Sequence, residues 1–313
     1  MSVALEPAPA RGRAPRPRRG RGRAGWLVPA SFLAPSLLHF VVFTGGTLLA
    51  SLVMSTWKWD LVTPHVGVGL GNYTALFQDP AFWRSLLTTL LYCAVTIPLS
   101  LGLGLVLALA LDSRLRAVKV FRFFYFLPYI APLAAVAILW RWMYNSDFGI
   151  INYVLSLLLP GEVQVDWLGD PATMLLSIGV MDVWKGLGWS VTLFAAGLLA
   201  IPQHFYEAAE LDGASAWQRF RFVTWPMLSP TTFFLTVVGV INSFQVFDSV
   251  YLMLGDNPNA AGVTYNFYVF QQGFRYFNMG YAAALSWVLF AIIGTLTFLQ
   301  FRYVNKRVTY ELD

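Results

Sequence analysis

The chain has 313 residues, 57% hydrophobic and only 12% charged, with a formal net charge of +5 and a mean hydropathy of +0.59. So few charges, with the apolar residues in long uncharged runs rather than in alternation, exclude soluble, disordered and fibrous classes and place most of the chain in lipid. The single cysteine, Cys93, excludes an internal disulfide or a thiolate metal site and reads as a small buried residue.

Residues 1–24 are rich in Arg, Pro, Gly and Ala. They have no periodic apolar face and too much like charge to pack, so they read as a disordered basic cytoplasmic tail. They lack the stacking aromatics of a nucleic-acid binder, and the apolar run that follows is far longer than a signal-peptide core. The tail therefore reads as a topology determinant touching anionic lipid ahead of an uncleaved anchor.

Residues 25–313 read as one transmembrane domain. A bilayer core about 30 Å thick needs roughly 20 apolar residues as helix, because backbone polar groups cannot be left unpaired in hydrocarbon. Spans are predicted at about 27–56, 85–111, 122–143, 172–200, 231–254 and 277–302, an all-α fold of six transmembrane helices with both termini on one side. Asp79-Pro80 and Asp170-Pro171 each supply an N-cap followed by Pro at the first helical position, before spans two and four. Pro98, Pro128 and Pro132 fall inside spans, where they remove backbone bonds and bend helices. Arg141, Trp142 and Tyr144 end the third span and are expected to anchor it at the headgroups. The fourth span carries Asp182 and Lys185, for which a local ion pair is expected ahead of contact with a substrate.

Basic residues settle the orientation, since short loops rich in Lys and Arg stay in the cytoplasm. They crowd the tail from Arg11 to Arg23, the second connection (Arg114, Arg116, Lys119, Arg122), the fourth (Arg219, Arg221) and the end of the chain (Arg302, Lys306, Arg307). Both termini are therefore expected inside. The opposite connections, about 57–84, 144–171 and 255–275, collect Asp60, Asp79, Asp147, Glu162, Asp166, Asp170 and Asp256, with Trp57, Trp59, Trp83, Trp142 and Trp167 near the interface.

Residues 201–230, between spans four and five, are too long for a turn and rich in helix formers. Two short cytoplasmic helices are predicted. The first, from about Gln203 to Asp212, sets Glu207 and Glu210 one turn apart, and Gly213 permits a sharp reversal. The second puts Trp217, Phe220 and Thr224 on one side before Pro226 stops it.

The order Glu207-Ala208-Ala209, three residues, Gly213, nine residues, Val223, any residue, Trp225-Pro226 resembles the EAA loop of bacterial ABC importer permeases. It is most similar to the carbohydrate-uptake group of binding-protein-dependent inner membrane components, in the first of the two permease subunits. Val223 and Trp225 stand where that family usually has Ile and Leu, and both stay apolar. Gly69-Leu70-Gly71-Asn72-Tyr73, Asp212-Gly213-Ala214-Ser215 and Ser243-Phe244-Gln245-Val246-Phe247-Asp248 are in the same style, so the resemblance covers roughly residues 26–303.

The resemblance implies a type I importer (MetI-like) permease fold and ATP-driven, binding-protein-dependent import of a sugar or related polyol by alternating access. It implies that Glu207, Ala208, Ala209, Asp212, Gly213 and Pro226 couple the permease to separate ATPase subunits, the small residues allowing close approach and the acids pairing with basic groups. The partners it implies are a second permease subunit, two ABC ATPase subunits, an extracytoplasmic solute-binding protein, the cargo and membrane lipid, with no nucleic acid. The chain carries no Gly-x-x-x-x-Gly-Lys-Ser/Thr, so it is not an ATPase, and ATP and Mg are expected on the partner subunits. His39, His65 and His204 are scattered without ligand spacing, so no metal and no cofactor is expected in this chain.

In the fifth span Asn242, Gln245 and Asp248 fall at i, i+3 and i+6, with Ser249 beside them and Phe244 and Phe247 flanking. Amides, a carboxylate and flat rings suit a polyhydroxylated cargo, while interhelical bonding to a partner subunit accounts for the same residues. The alternative mechanism, an ion-gradient-driven secondary transporter, calls for an internal repeat, and none is clear.

Overall fold

The computed structural model describes residues 27–112, 118–161, 163–255 and 260–304. The basic tail, Arg114, Arg116, Glu162, Asp256, Lys306 and Arg307 lie outside them. By its internal contacts the chain divides into two units, Met1–Ser51 and Leu52–Asp313.

The described part of the first unit is α1 (Leu27–His39), a π-helical turn Phe40–Gly45 and the start of α2 (Gly46–Met54), which together make the first predicted span. Its aliphatic and aromatic side chains, such as Phe32, Leu38 and Phe43, are exposed.

The second unit opens on a two-stranded antiparallel hairpin, β1 (Trp57–Lys58) with β2 (Val66–Gly67), Trp57 opposite Gly67. Then comes α3 (Gly71–Gln78). The Asn72 amide donates to the carbonyls of Ser55 and Trp57, both at 2.8 Å, and pins α3 to the end of the first span. Asp79 caps α4 (Pro80–Asp112) as expected, accepting from the Ala81 amide at 2.8 Å. Its other oxygen accepts from Tyr281 at 2.8 Å and from Tyr268. Burial pushes the Asp79 pKa up, but the Tyr268 hydroxyl, the Ala81 amide and the Tyr281 hydroxyl outweigh it and leave the carboxyl below its usual 3.8.

The third span is not one helix. α5 (Val118–Ile130) and α6 (Leu133–Met143) meet at 107° across Ala131 and Pro132. Pro128 and Pro132 supply the cause foreseen in the sequence, but the turn is far sharper than a proline kink inside one span. Tyr144 is also no headgroup anchor. It is 5% exposed and its hydroxyl donates to the Ser177 carbonyl at 3.1 Å, because the end of α6 turns inward onto the fourth span. The short α7 (Ile150–Leu158) follows, with Asn152 buried beneath it.

α8 (Pro171–Ala200) is a single helix, capped by Asp170 on the Ala172 amide at 2.8 Å. It packs along α4, and α5 lies across it at Gly188. A Cβ there would stand 2.8 Å from the Tyr125 carbonyl and 3.2 Å from Phe126 Cα, so only glycine admits that crossing.

The predicted fifth span, 231–254, is broken too. α12 (Ser229–Phe244) stops and α13 (Asp248–Leu254) starts after Gln245, Val246 and Phe247. The segment expected as an outer loop, 255–275, folds back into the bundle instead: in α14 (Tyr265–Phe270) both Tyr265 and Phe267 are fully buried. The Tyr265 amide donates to Thr89 Oγ1 at 2.8 Å and its hydroxyl to the Leu285 carbonyl at 2.9 Å. Its run Tyr-Asn-Phe-Tyr-Val-Phe is too short to span a bilayer, so length sorted it with the loops, while its rings belong to the core. A π-helical turn, Gln271–Arg275, leads to α15 (Met279–Leu299), the sixth span.

Among the described residues, four helices are long and apolar enough to cross a membrane: Ala30–Met54, Pro80–Leu111, Pro171–Ala200 and Met279–Tyr303. The bent pairs Phe123–Ile130 with Leu133–Met143, and Ala216–Met227 with Ser229–Phe244, bring the number to six when each counts as one span.

Candidate functional site

Two places stand out, an elbow after α8 and a cavity between α4, α8 and α12. The elbow begins where Ile201 and Pro202 leave the helix in extended conformation, followed by α9 (Gln203–Leu211). Gly213 takes φ +73°, a left-handed turn that costs a glycine nothing. Its amide donates to the Glu210 carbonyl at 3.0 Å, and the Ala214 amide to the Ala209 carbonyl at 2.9 Å, which closes the end of α9.

Ser215 then caps α10 (Ala216–Arg219) in a capping box with Gln218. A π-helical turn, Phe220–Thr224, and α11 (Trp225–Met227) continue it. Pro226 therefore does not stop the second helix as predicted. It lies inside the helical run Ala216–Met227, just past the π-helical turn, and the chain bends by 59° only past Met227.

The two arms are held together. Glu210 pairs with Arg219 and the Tyr206 hydroxyl meets Thr224 Oγ1 at 3.0 Å, while within the second arm Trp217 stacks on Phe220 at 5.5 Å. The ion pair spends Glu210 internally, a role the sequence did not reveal because Arg219 lies beyond the reversal. Glu207, Ala208, Asp212 and Gly213 are exposed and Ala209 is half-buried. Among the described residues neither Glu207 nor Asp212 makes an ion pair. Around them Leu211 is 90% exposed, Trp217 68% and Phe222 73%. Large apolar side chains left uncovered on a hydrogen-bonded turn beside exposed acids mark a contact surface.

The cavity holds about 600 Å³ and is walled by Tyr92, Thr96 and Ser100 of α4, Tyr129 and Leu133 at the α5–α6 bend, and Asp182, Gly186, Trp189 and Ser190 of α8. Asn242 and Ser243 of α12, then Gln245, Val246, Phe247, Asp248 and Ser249, close it. Of the sequence candidates, Asn242, Gln245, Phe247 and Asp248 line it. Phe244 does not: it is 2% exposed and packs with Phe82, Tyr265 and Leu285.

The lining residues also do not share one helical stripe, since α12 ends at Phe244 and Asp248 belongs to α13. The break is held from outside, with Thr264 Oγ1 donating to the Val246 carbonyl at 3.1 Å and the Asn266 amide to the Gln245 carbonyl at 3.0 Å. Donors twenty residues downstream, roughly, leave no mark in a local periodicity.

Asp182 and Lys185 do not pair either. The Tyr92 hydroxyl donates to Asp182. Lys185 Nζ donates to the Tyr129 carbonyl at 3.1 Å and lies 5.9 Å from the centre of that ring. The bend after α5 strips the Tyr129 carbonyl of its helical donor, and lysine supplies one. Each charge thus finds a neighbouring helix rather than its own. Asp182, for which contact with a substrate was the lesser expectation, lines the cavity, and Tyr92 is a lining residue that sequence reasoning missed. The cluster Trp184, Gly186, Gly188, Trp189 around Asp182 was the available signal.

Trp189 and Tyr129 stack at 6.1 Å and 17°, and Phe247 stacks on Tyr251 at 5.5 Å, so flat rings face a chamber edged with amides and hydroxyls. Among the described residues no three His, Cys, Asp or Glu side chains are grouped to hold a metal ion.

The family described as "Binding-protein-dependent transport system inner membrane component" matches residues 67–310. The "Probable ABC transporter permease protein YesP" of Bacillus subtilis is 35% identical over 285 residues, 90% of this chain and 91% of that one. The "Lactose transport system permease protein LacF" of Rhizobium radiobacter is 33% identical, covering 90% and 94%. The "sn-glycerol-3-phosphate transport system permease protein UgpA" of Agrobacterium fabrum is 34% identical, covering 91% and 97%. Among solved structures, a chain of a "bacterial alginate ABC transporter in complex with alginate pentasaccharide-bound periplasmic protein" superposes with a TM-score of 0.78 over 90% of this chain and 94% of that one. At 20% identity that likeness speaks for the fold.

Proposed function

Since the chain belongs to the binding-protein-dependent transport system inner membrane components, a multi-pass permease of ABC importers and not an enzyme, we propose that it carries a sugar or related polyol into the cytoplasm by alternating access. Relatives named for lactose and glycerol phosphate support that cargo class. It works beside a second permease and two ATPase subunits that bind ATP and Mg, on cargo handed over by an extracytoplasmic solute-binding protein.

The observation that carries this reading is the connectivity of the elbow. It joins α8 directly to α12, and both helices wall the cavity. A partner that grips Glu207, Ala208, Ala209, Asp212 and Gly213, with Pro226 at the root of the second arm, therefore moves two sides of the chamber at once. Closure of the ATPases on nucleotide draws the elbow inward, and the bends at Ala131–Pro132, Leu228 and Gln245–Phe247 let the wall segments rotate without breaking their helices. Asn242, Gln245 and Asp248 then offer hydrogen bonds, and Phe247 a flat face, to the hydroxyls and rings of a passing sugar.

The test is uptake in vesicles containing the complete transporter. Glu207→Lys is expected to insert and assemble normally yet lose ATP-driven uptake. Full transport by that variant would refute coupling through the elbow, and uptake by this chain alone under a pH gradient would favour an ion-driven mechanism instead.

A further inference from the structure

Among the described residues the cavity is lined by two carboxylates, Asp182 and Asp248, and by no Lys, Arg or His. Its other polar atoms are hydroxyls and amides, which serve a neutral polyol equally well as donors or acceptors. Lys185, one turn from Asp182, is the cation nearest in sequence, but it does not line the chamber and its ammonium is engaged by the Tyr129 carbonyl. Asp248 is exposed, at the first turn of α13, where the helix end favours negative charge. Asp182 faces the same chamber and takes the Tyr92 hydroxyl as donor.

We propose that Asp182 and Asp248 make this chamber a charge filter, selecting uncharged or amine-bearing sugars and excluding phosphorylated or uronic ones. This rests on the cavity being the transport path, and it narrows the cargo within the class proposed above. A phosphate or carboxylate on the cargo would meet the Asp248 carboxylate, with the Asp182 carboxyl already engaged by Tyr92 beside it, and would find no guanidinium or ammonium among the described lining residues to replace its water. Like charges facing each other across low dielectric repel strongly enough to discriminate between ligands of the same shape. A neutral sugar loses nothing there, and an amino sugar gains a partner.

The single native cysteine gives a test that needs no knowledge of the cargo. In a Cys93→Ser background, Asn242→Cys or, at a second position, Gln245→Cys puts one thiol on the lining. The assembled transporter in nanodiscs is then treated with a cationic and an anionic methanethiosulfonate of matched size, and the two rates are divided by those on a small free thiol. The cation is expected to be favoured by about tenfold or more, and Asp182→Asn with Asp248→Asn to bring the ratio to within about twofold of the free thiol.

A ratio near that of the free thiol in the parent would overturn the filter, as would a cation preference that survives both neutralisations. Reaction at neither position with either reagent would show that the chamber is closed to solutes. That result overturns the path itself, and with it the filter. Loss of uptake in Glu207→Lys bears on the coupling alone, so the two readings fail separately.

Discussion

Gly213 isolates the backbone contribution to coupling from everything else in the elbow. It sits at φ +73°, and a Cβ built on it would meet nothing within 4 Å. Gly213→Ala therefore adds no clash, and its whole cost is that of holding an L-residue left-handed, about 1–2 kcal/mol. If the elbow must take this shape to dock, that cost is subtracted from the docking free energy and weakens the contact by roughly 5- to 30-fold. Asparagine visits this region far more readily, so Gly213→Asn is expected within about twofold of the parent. Gly213→Pro fixes φ near −65° and removes the amide that donates to the Glu210 carbonyl, so it is expected to abolish docking. The assay is titration of the ATPase subunits onto the permease pair in nanodiscs, with ATP-driven uptake alongside. An alanine variant that binds like the parent would refute the reasoning. So would an asparagine variant as weak as alanine, since that would place the cost in a side chain at the contact and not in φ.

Two further outcomes follow from packing and charge in the same unit. On α15, a Cβ at Gly280 would stand 1.7 Å from the Trp57 carbonyl, while one at Gly294 meets nothing within 4 Å. Gly280→Ala is expected to destabilise by at least about 1–3 kcal/mol, and Gly294→Ala to be neutral or stabilising by about 0.4–1 kcal/mol, both read from thermal unfolding in detergent; equal melting temperatures would contradict the close approach. Asp79 has its pKa held below 3.8 by hydrogen bonds that outweigh burial. Its contribution is therefore complete above that value and is lost as pH falls through the lower folded-state value. Asp79→Asn is expected to flatten the acid limb of a stability–pH curve while leaving the limb above pH 5, roughly, parallel to the parent; an unchanged acid limb would remove Asp79 from the account.

The sequence revealed this molecule wherever one short segment carries its own cause. Span existence follows from run length, the caps at Asp79 and Asp170 from an Asp-Pro pair, and the reversal at Gly213 from a glycine between helix formers. It failed where the cause is remote. The stop after Phe244 depends on Thr264 and Asn266, and nothing near Gln245 announces it. Lys185 left Asp182 for a carbonyl that exists as an acceptor only because α5 ends at Ile130. The burial of α14 was hidden because six aromatic-rich residues look like a loop to any rule based on span length. Two of these three features border the chamber, where backbone irregularity is tolerated because it faces a cavity rather than lipid. The residues proposed for coupling were readable because they form a contiguous motif. The residues proposed for the path were only half readable because they gather from six helices.

α8 differs from α5 and α12, which meet it. Its 30 residues run unbroken from the Asp170 cap to Ile201, about 45 Å at 1.5 Å per residue, while α5 and α12 are each hinged. A helix without a break absorbs a push less readily than the hinged ones and shifts or pivots as a whole. What happens at its outer tip, beside Trp167 and Asp170, is therefore felt at the elbow, and a tug on the elbow is felt outside. In the transport cycle proposed above, the arrival of cargo outside and the closure of the ATPases inside need no relay between them, because α8 would have an end in each compartment.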